Sequence, residues 1–162
     1  MGPLAYFISW TCYANWLHGD PRGSVDVLHN VPGTPVIEPN SKRIARETEF
    51  AESNAIRMTS QIRRVVTETI VDHCRHRGWA IHALNVRTNH VHVVVSGPPD
   101  PDRAMIEFKA WATRRLREDG LFPADQRIWT THGSTRYLWN RESLAPALRY
   151  VLDGQGPELD CM

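Results

Sequence analysis

Residues 89–95 constrain the fold more tightly than any other part of the chain, because their sequence is Asn-His-Val-His-Val-Val-Val. A near-continuous valine run is typical of a central strand that is covered on both faces of a sheet. Successive strand side chains point to opposite faces, so His90 and His92 share one face while Val91 and Val93 enter the other layer. Polar side chains on such a strand need partners. The segment therefore predicts either a pair of metal ligands or two buried structural histidines.

The sequence around this strand predicts four further strands and three helices. The strands are expected at 5–10, 79–86, 128–131 and 136–139, and the helices run from about Thr48 to Gly78, over 100–119, and from Ser143 onward. Residues 87–89 are expected to form a hairpin turn. The order is close to the βαββαβ pattern of ferredoxin-like and RRM-like folds. The predicted fold class is therefore α+β, an antiparallel sheet with two helices on one face and an additional C-terminal helix.

The chain has 162 residues, a length that suits one domain, so residues 1–162 are predicted to form a single domain. Four prolines and three glycines lie within 18–39, which predicts an irregular loop insertion at about 18–45. No apolar run reaches the roughly 18 residues that a membrane span needs, and no signal-peptide pattern is visible. The three cysteines form no CxxC pair, which fits free thiols. We expect a cytoplasmic protein with no membrane partner.

The net charge of +1 hides a basic central region. Residues 53–117 hold 11 Lys and Arg against 5 Asp and Glu, and 17 of the 19 basic residues are arginine. Arginine suits bidentate phosphate contacts, although a GC-rich genome produces the same bias. The outer face of the predicted helix at 100–119 carries Lys109, Arg114 and Arg117, which are candidate contacts to nucleic-acid phosphates. The sequence contains no P-loop, GxSxG or HExxH signature. The motifs that most directly indicate nucleotide hydrolysis, serine proteolysis or zinc proteolysis are therefore absent.

The last predicted helix leaves one tyrosine outside its apolar stripe. The stripe consists of Leu144, Ala147, Leu148, Val151 and Leu152. At about 100° per residue, Tyr150 lies more than about 90° from the centre of this stripe. Its hydroxyl group is then accessible for chemistry, although a boundary aromatic with no chemical role would occupy the same position.

These features together resemble the IS200/IS605-like and REP-associated tyrosine (Y1) transposases of the HUH endonuclease superfamily. The resemblance covers residues 7–156, most of the chain. It rests on His-Val-His at 90–92, Thr-Thr-His-Gly-Ser-Thr-Arg-Tyr-Leu-Trp at 130–139, Trp-Thr-Cys-Tyr at 10–13, Trp-Leu-His-Gly-Asp-Pro-Arg-Gly-Ser-Val at 16–25, and Tyr150 followed shortly by Gln155.

The resemblance implies a specific active site. His90 and His92, with Gln155 as the third ligand, are expected to hold Mg²⁺ or Mn²⁺. Tyr150 is expected to attack a phosphodiester of single-stranded DNA, forming a 5′-phosphotyrosine and releasing a 3′-hydroxyl. Another 3′-hydroxyl can later displace the tyrosine without ATP, because the covalent bond preserves the phosphodiester energy. The resemblance therefore implies a transposase that nicks and rejoins DNA at or near hairpins.

One position departs from the better-known branch of the family, in which glutamine follows the tyrosine by four residues. Here Gly154 occupies that position and glutamine follows one residue later. Either the helix ends at Gly154 and the backbone turns so that Gln155 reaches the metal, or water or another side chain completes the site. Ligand softness alone would favour zinc or copper for two imidazoles, so the identity of the metal rests on the resemblance.

An alternative function is a non-catalytic, RRM-like module that binds single-stranded nucleic acid by stacking bases on Trp111, Trp129 and Trp139. The central strands lack the aromatic RNP signature that this alternative needs. Arg136 is a fourth candidate DNA contact in either case. The DNA target stays open, and so does the choice between monomer and homodimer, since relatives of both kinds exist.

Overall fold

The computed structural model describes residues 2–14 and 55–153, and seven regular elements lie within them. The four strands are β1 (Ala5–Thr11), β2 (Ala80–Val86), β3 (His90–Ser96) and β4 (Ser134–Leu138). The three helices are α1 (Ser60–Arg77), α2 (Pro101–Glu118) and α3 (Arg141–Asp153).

The strands form one antiparallel sheet in the order β2-β3-β1-β4. The two central strands are β3, which carries both histidines, and β1. The chain order β1-α1-β2-β3-α2-β4-α3 is the predicted βαββαβ pattern with one additional helix. The predicted α+β class and the central position of the histidine strand are therefore confirmed.

The helices cover both faces of the sheet, α1 and α2 on one and α3 on the other. On the first face, Trp10 is paired with Val91 across β1 and β3, and its ring centre lies 6.1 Å from that of Phe108 in α2. On the second face α3 contributes Ala147 and Val151 to a buried apolar cluster. The other members of this cluster are Ala5, Phe7, Ala83, Val94 and Leu138, all from the sheet.

Helix α1 begins later than the sequence pattern predicts, because residues 55–59 are not helical. The backbone of Thr59 is extended, and its side-chain oxygen accepts a hydrogen bond from the Ile62 N–H at 3.3 Å. A threonine that caps the first turn in this way fixes the start of a helix. The predicted end is correct, since Gly78 adopts a φ of 73° after the last turn.

Helix α2 begins as the sequence predicts. The Asp100 carboxylate accepts a hydrogen bond from the Asp102 N–H at 2.9 Å, and Pro101 occupies the first helical position. The Asp102 carboxylate also accepts a hydrogen bond from the Thr135 hydroxyl at 2.7 Å, which ties the start of α2 to β4.

The predicted strand at 128–131 is wrong. Only Trp129 makes an isolated bridge, and the Thr130 N–H donates to the Thr11 carbonyl at 3.1 Å. A strand needs a run of paired residues, whereas this segment meets the sheet only at the end of β1. The strand predicted at 136–139 is present as β4.

The predicted start of the last helix is wrong by two residues. Helix α3 begins at Arg141, because the side chain of Asn140 caps its first turn. The Asn140 side-chain oxygen accepts from the Ser143 N–H at 3.0 Å, and the Ser143 hydroxyl accepts from the Asn140 N–H at 3.3 Å. This reciprocal arrangement satisfies two backbone donors of the helix start. Pro146 therefore lies in the second helical turn.

The chain divides into two compact units, residues 1–11 with 57–162 and residues 12–56. The first unit contains the seven elements. In the second, the Ile56 N–H donates to the Tyr13 carbonyl at 3.1 Å. The predicted insertion at 18–45 lies outside the described residues, and the single domain stays a prediction. Within residues 2–14 and 55–153, no helix is long and apolar enough to span a bilayer.

Candidate active site

The two histidines of β3 lie side by side on the face of the sheet that α3 covers. Their ring centres are 4.7 Å apart with the planes at 63°. Val91 and Val93 are fully buried in the opposite layer, which confirms the predicted alternation. His92 is only 9% exposed, whereas His90 is half-buried.

The hydrogen bond of His90 fixes which of its nitrogens can act as a ligand. Its Nδ1 lies 2.7 Å from the side-chain oxygen of Asn89 in the preceding turn. An amide oxygen only accepts hydrogen bonds, so Nδ1–H must be the donor. The lone pair of the neutral ring is then on Nε2. A hydrogen bond to the far nitrogen is the usual way in which a protein orients a metal-binding imidazole.

Tyr150 extends from α3 over this histidine pair. Its ring centre lies 5.5 Å from that of His92, with the planes at 69°. Phe7 of β1 packs against both rings, with centres at 5.6 Å from His92 and 6.0 Å from Tyr150. Tyr150 is 49% exposed, as its angle from the apolar stripe predicts. The stripe itself is narrower than predicted, because Leu152 is 58% exposed.

Two features hold α3 at this distance from β3. Val151, the residue after the tyrosine, is fully buried in the apolar cluster. The Asn85 side chain donates a hydrogen bond from Nδ2 to the Val151 carbonyl at 3.0 Å. Asn85 is the cross-strand partner of His92, so one strand position links the helix to the histidine pair. The sequence analysis missed Asn85 and Asn89, although a polar residue within β2 and one directly before the histidines were visible signals.

The donor set of this site fits a divalent cation only in part. Two neutral imidazoles can bind one, and the Nε2 lone pair of His90 is oriented by Asn89. Among residues 2–14 and 55–153, no three His, Cys, Asp or Glu side chains converge on one point. Within these residues, a metal held by His90 and His92 therefore lacks a third ligand of these types, and Gln155, the predicted third ligand, lies outside the described residues.

Arg136, a predicted DNA contact, lies on the same face of the sheet as the histidines. It is the cross-strand partner of Phe7 across β1 and β4, and directly opposed side chains share a face. Its side chain is exposed. Arg136 and Tyr150 are thus both neighbours of Phe7 on this face of the sheet.

The other three predicted DNA contacts lie on α2, behind the sheet as seen from the histidines. Lys109, Arg114 and Arg117 line one open groove together with Arg127, which the sequence analysis missed. Arg114 forms an ion pair with Glu118 at 3.0 Å.

Lys109 and Arg117 of this groove both donate to backbone carbonyls. Arg117 donates from Nη2 to the Gln126 carbonyl at 3.2 Å. Lys109 donates from Nζ to the carbonyls of Thr130, Thr131 and His132 at 2.9, 3.4 and 3.2 Å. Burial, together with the positive charge of Arg127, lowers the pKa of Lys109 to about 8.

The tryptophans of the alternative function differ in exposure. Trp129 is buried and donates from Nε1 to the Thr113 hydroxyl at 3.0 Å. Trp111 and Trp139 are 46% and 57% exposed, and Trp139 stacks on Tyr137 with ring centres 5.8 Å apart. Trp129 therefore belongs to the interior of the domain and does not provide a stacking surface.

The fold and the site together define a ferredoxin-like α+β domain with paired histidines and a tyrosine on one face of the sheet. Residues 52–142, more than half of the chain, match the transposase IS200-like family. The chain belongs to this family. No curated protein matches the sequence.

The solved structures similar to the chain include two transposases. One is a REP-associated tyrosine transposase bound to a REP hairpin, with 15% sequence identity and a TM-score of 0.50 over 93% of this chain. The chain spans 66% of the length of that protein. The other is a candidate transposase from Deinococcus radiodurans R1, with 15% identity and a TM-score of 0.47 over 93% of this chain and 90% of that one. At this identity the first likeness supports the fold.

Proposed function

We propose that this protein nicks and rejoins single-stranded DNA, with Tyr150 as the nucleophile and with Mg²⁺ or Mn²⁺ held by His90, His92 and Gln155. The observation that carries the proposal is the position of the Tyr150 ring. Its centre lies 5.5 Å from that of the His92 ring, and the centres of the His92 and His90 rings are 4.7 Å apart. Tyrosine is one of the side chains that act as covalent nucleophiles, and two adjacent neutral imidazoles can bind a divalent cation beside it.

The covalent step conserves the number of phosphodiester bonds. The phenolic oxygen of Tyr150 attacks the phosphorus and forms a new P–O bond, while the bond from phosphorus to the 3′-oxygen breaks. The phenolic proton is lost and the leaving 3′-oxygen gains a proton, so the products are a 5′-phosphotyrosine and a 3′-hydroxyl. A second 3′-hydroxyl reverses the step on another strand and restores Tyr150. The reaction needs no ATP.

The histidines supply the metal site and the rest of the face holds the tyrosine. A bound divalent cation offsets the charge that develops on the scissile phosphate. Asn89 holds the ring of His90 with Nε2 as its basic nitrogen. The buried Val151 anchors α3 on the sheet and Phe7 packs against the ring of Tyr150, which places the tyrosine near His92 before DNA binds.

The DNA partner is proposed to be single-stranded and able to form a hairpin, as the similar structure bound to a REP hairpin suggests. Arg136 is proposed to contact phosphates beside Tyr150. Arg114 and Arg117 are proposed to contact phosphates at the groove along α2, because arginine binds phosphate through two parallel hydrogen bonds.

The proposal is tested with end-labelled single-stranded hairpin DNA from the flanks of the gene. The protein is incubated with and without Mg²⁺ or Mn²⁺, and the products are separated on a denaturing gel. We expect a metal-dependent covalent adduct and a free 3′-hydroxyl fragment, and light scattering of the complex gives the number of protein copies. Salt-sensitive binding with no adduct under any condition would contradict the proposal and would support the non-catalytic binding module.

A further inference from the structure

We propose that Lys109 is a positioning residue of the candidate active site. Its side chain holds the segment 130–132 against the end of β1 that faces His90. The proposal rests on the proposed function, because it assigns this lysine to the geometry of the site and not to phosphate binding.

The first observation is the set of acceptors around the ammonium group. Lys109 donates to three consecutive carbonyls, those of Thr130, Thr131 and His132, at 2.9 to 3.4 Å. An ammonium group has three N–H donors, so these three carbonyls use all of them. The backbone carbonyl of Lys109 also accepts a hydrogen bond from Trp129 Nε1 at 3.2 Å. One residue of α2 therefore binds four successive residues of a segment that forms no strand.

The second observation is the connection from this segment to the histidine strand. The Thr130 N–H donates to the Thr11 carbonyl at 3.1 Å, and the two threonine hydroxyl oxygens lie 3.2 Å apart. Thr11 is the cross-strand partner of His90. Opposed side chains of an antiparallel pair lie on one face at about 4.5–5.5 Å between Cβ atoms. Thr11, to which Thr130 is hydrogen-bonded, is therefore the neighbour of His90 on this face of the sheet.

The third observation is the close approach of the chain directly after the segment. A Cβ atom at Gly133 would lie 2.5 Å from the Ser9 carbonyl oxygen and 2.5 Å from Met105 Sδ. The backbone thus runs close beside β1 at Ser9, which pairs with Ser134 of β4 on one side and with His92 of β3 on the other. Lys109 and Gly133 therefore hold both ends of the segment that runs along β1, the strand that lies between this segment and the histidine strand β3.

The charge of Lys109 gives the proposal a measurable pH dependence. Because burial and Arg127 lower the pKa of this lysine to about 8, it loses its proton in mildly alkaline solution. A neutral amine has two N–H donors in place of three, and the attraction to the carbonyls weakens. Lys109→Arg keeps a charged donor through this range. The other charged groups of the groove are Arg114, Arg117, Glu118 and Arg127.

The main experiment measures amide hydrogen exchange at Thr130, which does not depend on activity. Wild type, Lys109→Met, Lys109→Arg and Arg114→Met are compared at pH 7 and pH 9, each corrected for intrinsic exchange. We expect protection at Thr130 to fall about tenfold in Lys109→Met, and to fall with pH in wild type but not in Lys109→Arg. Arg114→Met, which removes a cation from the same groove, should retain the wild-type pH dependence. Unchanged protection in Lys109→Met overturns the proposal.

The second experiment measures single-turnover adduct formation and DNA affinity. Lys109→Met should slow adduct formation by up to about 100-fold, the cost that a displacement of about 1 Å can impose, with the salt dependence of binding unchanged. Reduced protection with a wild-type adduct rate would overturn the positioning role. If Lys109→Met fails to fold, the proposal is tested by comparing protection at Thr130 in wild type and in Lys109→Arg between pH 7 and pH 9. Identical pH dependence of protection in these two proteins overturns the proposal. A wild type that forms no adduct contradicts the proposed function alone, since the exchange experiment still reports on the lysine.

Discussion

The ring of Tyr150 stands edge-on to the imidazole of His92, with 5.5 Å between the ring centres. The two residues belong to different elements, α3 and β3, so this distance depends on how the last helix packs on the sheet. Val151 and the Asn85 hydrogen bond provide that packing. The distance between the candidate nucleophile and the histidine pair is therefore set by the packing of one short helix on the sheet.

Tyr150→Phe should abolish cleavage and the covalent adduct and leave DNA affinity within about twofold. The substitution removes only the nucleophilic oxygen, and the ring that contacts Phe7 and His92 is retained. Adduct formation on a denaturing gel and a binding titration measure the two effects. Tyr137→Phe is the matched control, because Tyr137 is similarly exposed but lies on β4. An adduct that persists in Tyr150→Phe, or that is lost only in Tyr137→Phe, would show that another tyrosine attacks.

His90→Ala and His92→Ala should each remove the metal-dependent activity and leave a folded protein. His92 should be the costlier of the two, by about 1–2 kcal/mol of unfolding free energy, because it is nearly buried between Phe7 and Tyr150. Mn²⁺ titration and thermal unfolding separate the two effects. If both substitutions destabilise the fold but neither reduces Mn²⁺ binding, His90 and His92 are structural residues and not metal ligands.

Arg114→Gln combined with Arg117→Gln should weaken DNA binding across sequences and flatten its salt dependence. Each lost phosphate contact removes about one unit from the slope of log K against log salt concentration. Both arginines have intramolecular partners in the described structure, Glu118 and the Gln126 carbonyl, so binding must exchange these partners for phosphates. An unchanged slope in the double variant would identify a solvated helix face.

Much of the fold follows from local patterns in the sequence. The alternation at 89–95 is sufficient to place both histidines on one face, since strand geometry admits no other arrangement. The Asp-Pro start of α2 is also correct, because the cap and the proline act on adjacent residues. The exposure of Tyr150 follows in the same way from helical periodicity, a purely local property.

The features that the sequence did not predict depend on partners far along the chain. Asn85 carries no signal that its amide binds the carbonyl of Val151. The hydrogen bonds of Lys109 to the carbonyls at 130–132 likewise depend on how α2 packs beside β1. From the sequence alone, Lys109 is one of three basic residues on an exposed helix face, and its contacts to these carbonyls become visible only in the structure.

Glu107→Gln should reduce stability at neutral pH, and the difference from wild type should be smaller in acid. Burial raises the pKa of Glu107, but the hydrogen bond from His73 and the charges of Arg77 and Arg103 outweigh it, so its pKa lies below 4.5. A carboxylate with a lowered pKa contributes stability above its ordinary pKa and loses it as the pH falls through the lowered value. We expect a difference of up to about 1 kcal/mol at pH 7 that is smaller at pH 3, because protonation of the carboxylate weakens its ion pairs. A difference that is equal at both pH values, measured by urea unfolding, would contradict this explanation.

Gln155→Ala should weaken Mn²⁺ affinity by about 10–100-fold, the effect typical of losing a group that supports a metal site. The reason is the incomplete donor set of the described residues, in which His90 and His92 lack a third converging His, Cys, Asp or Glu side chain. Gln155 is two residues beyond Asp153, the last residue of α3, and Gly154 between them can adopt positive φ at little cost. Gly154→Ala should therefore impair adduct formation more than folding, and it serves as the companion variant. Mn²⁺ titration and thermal unfolding of both variants provide the measurements. If Gln155→Ala binds Mn²⁺ as tightly as wild type, the third ligand is water or another side chain, and Gln155 has no part in the site.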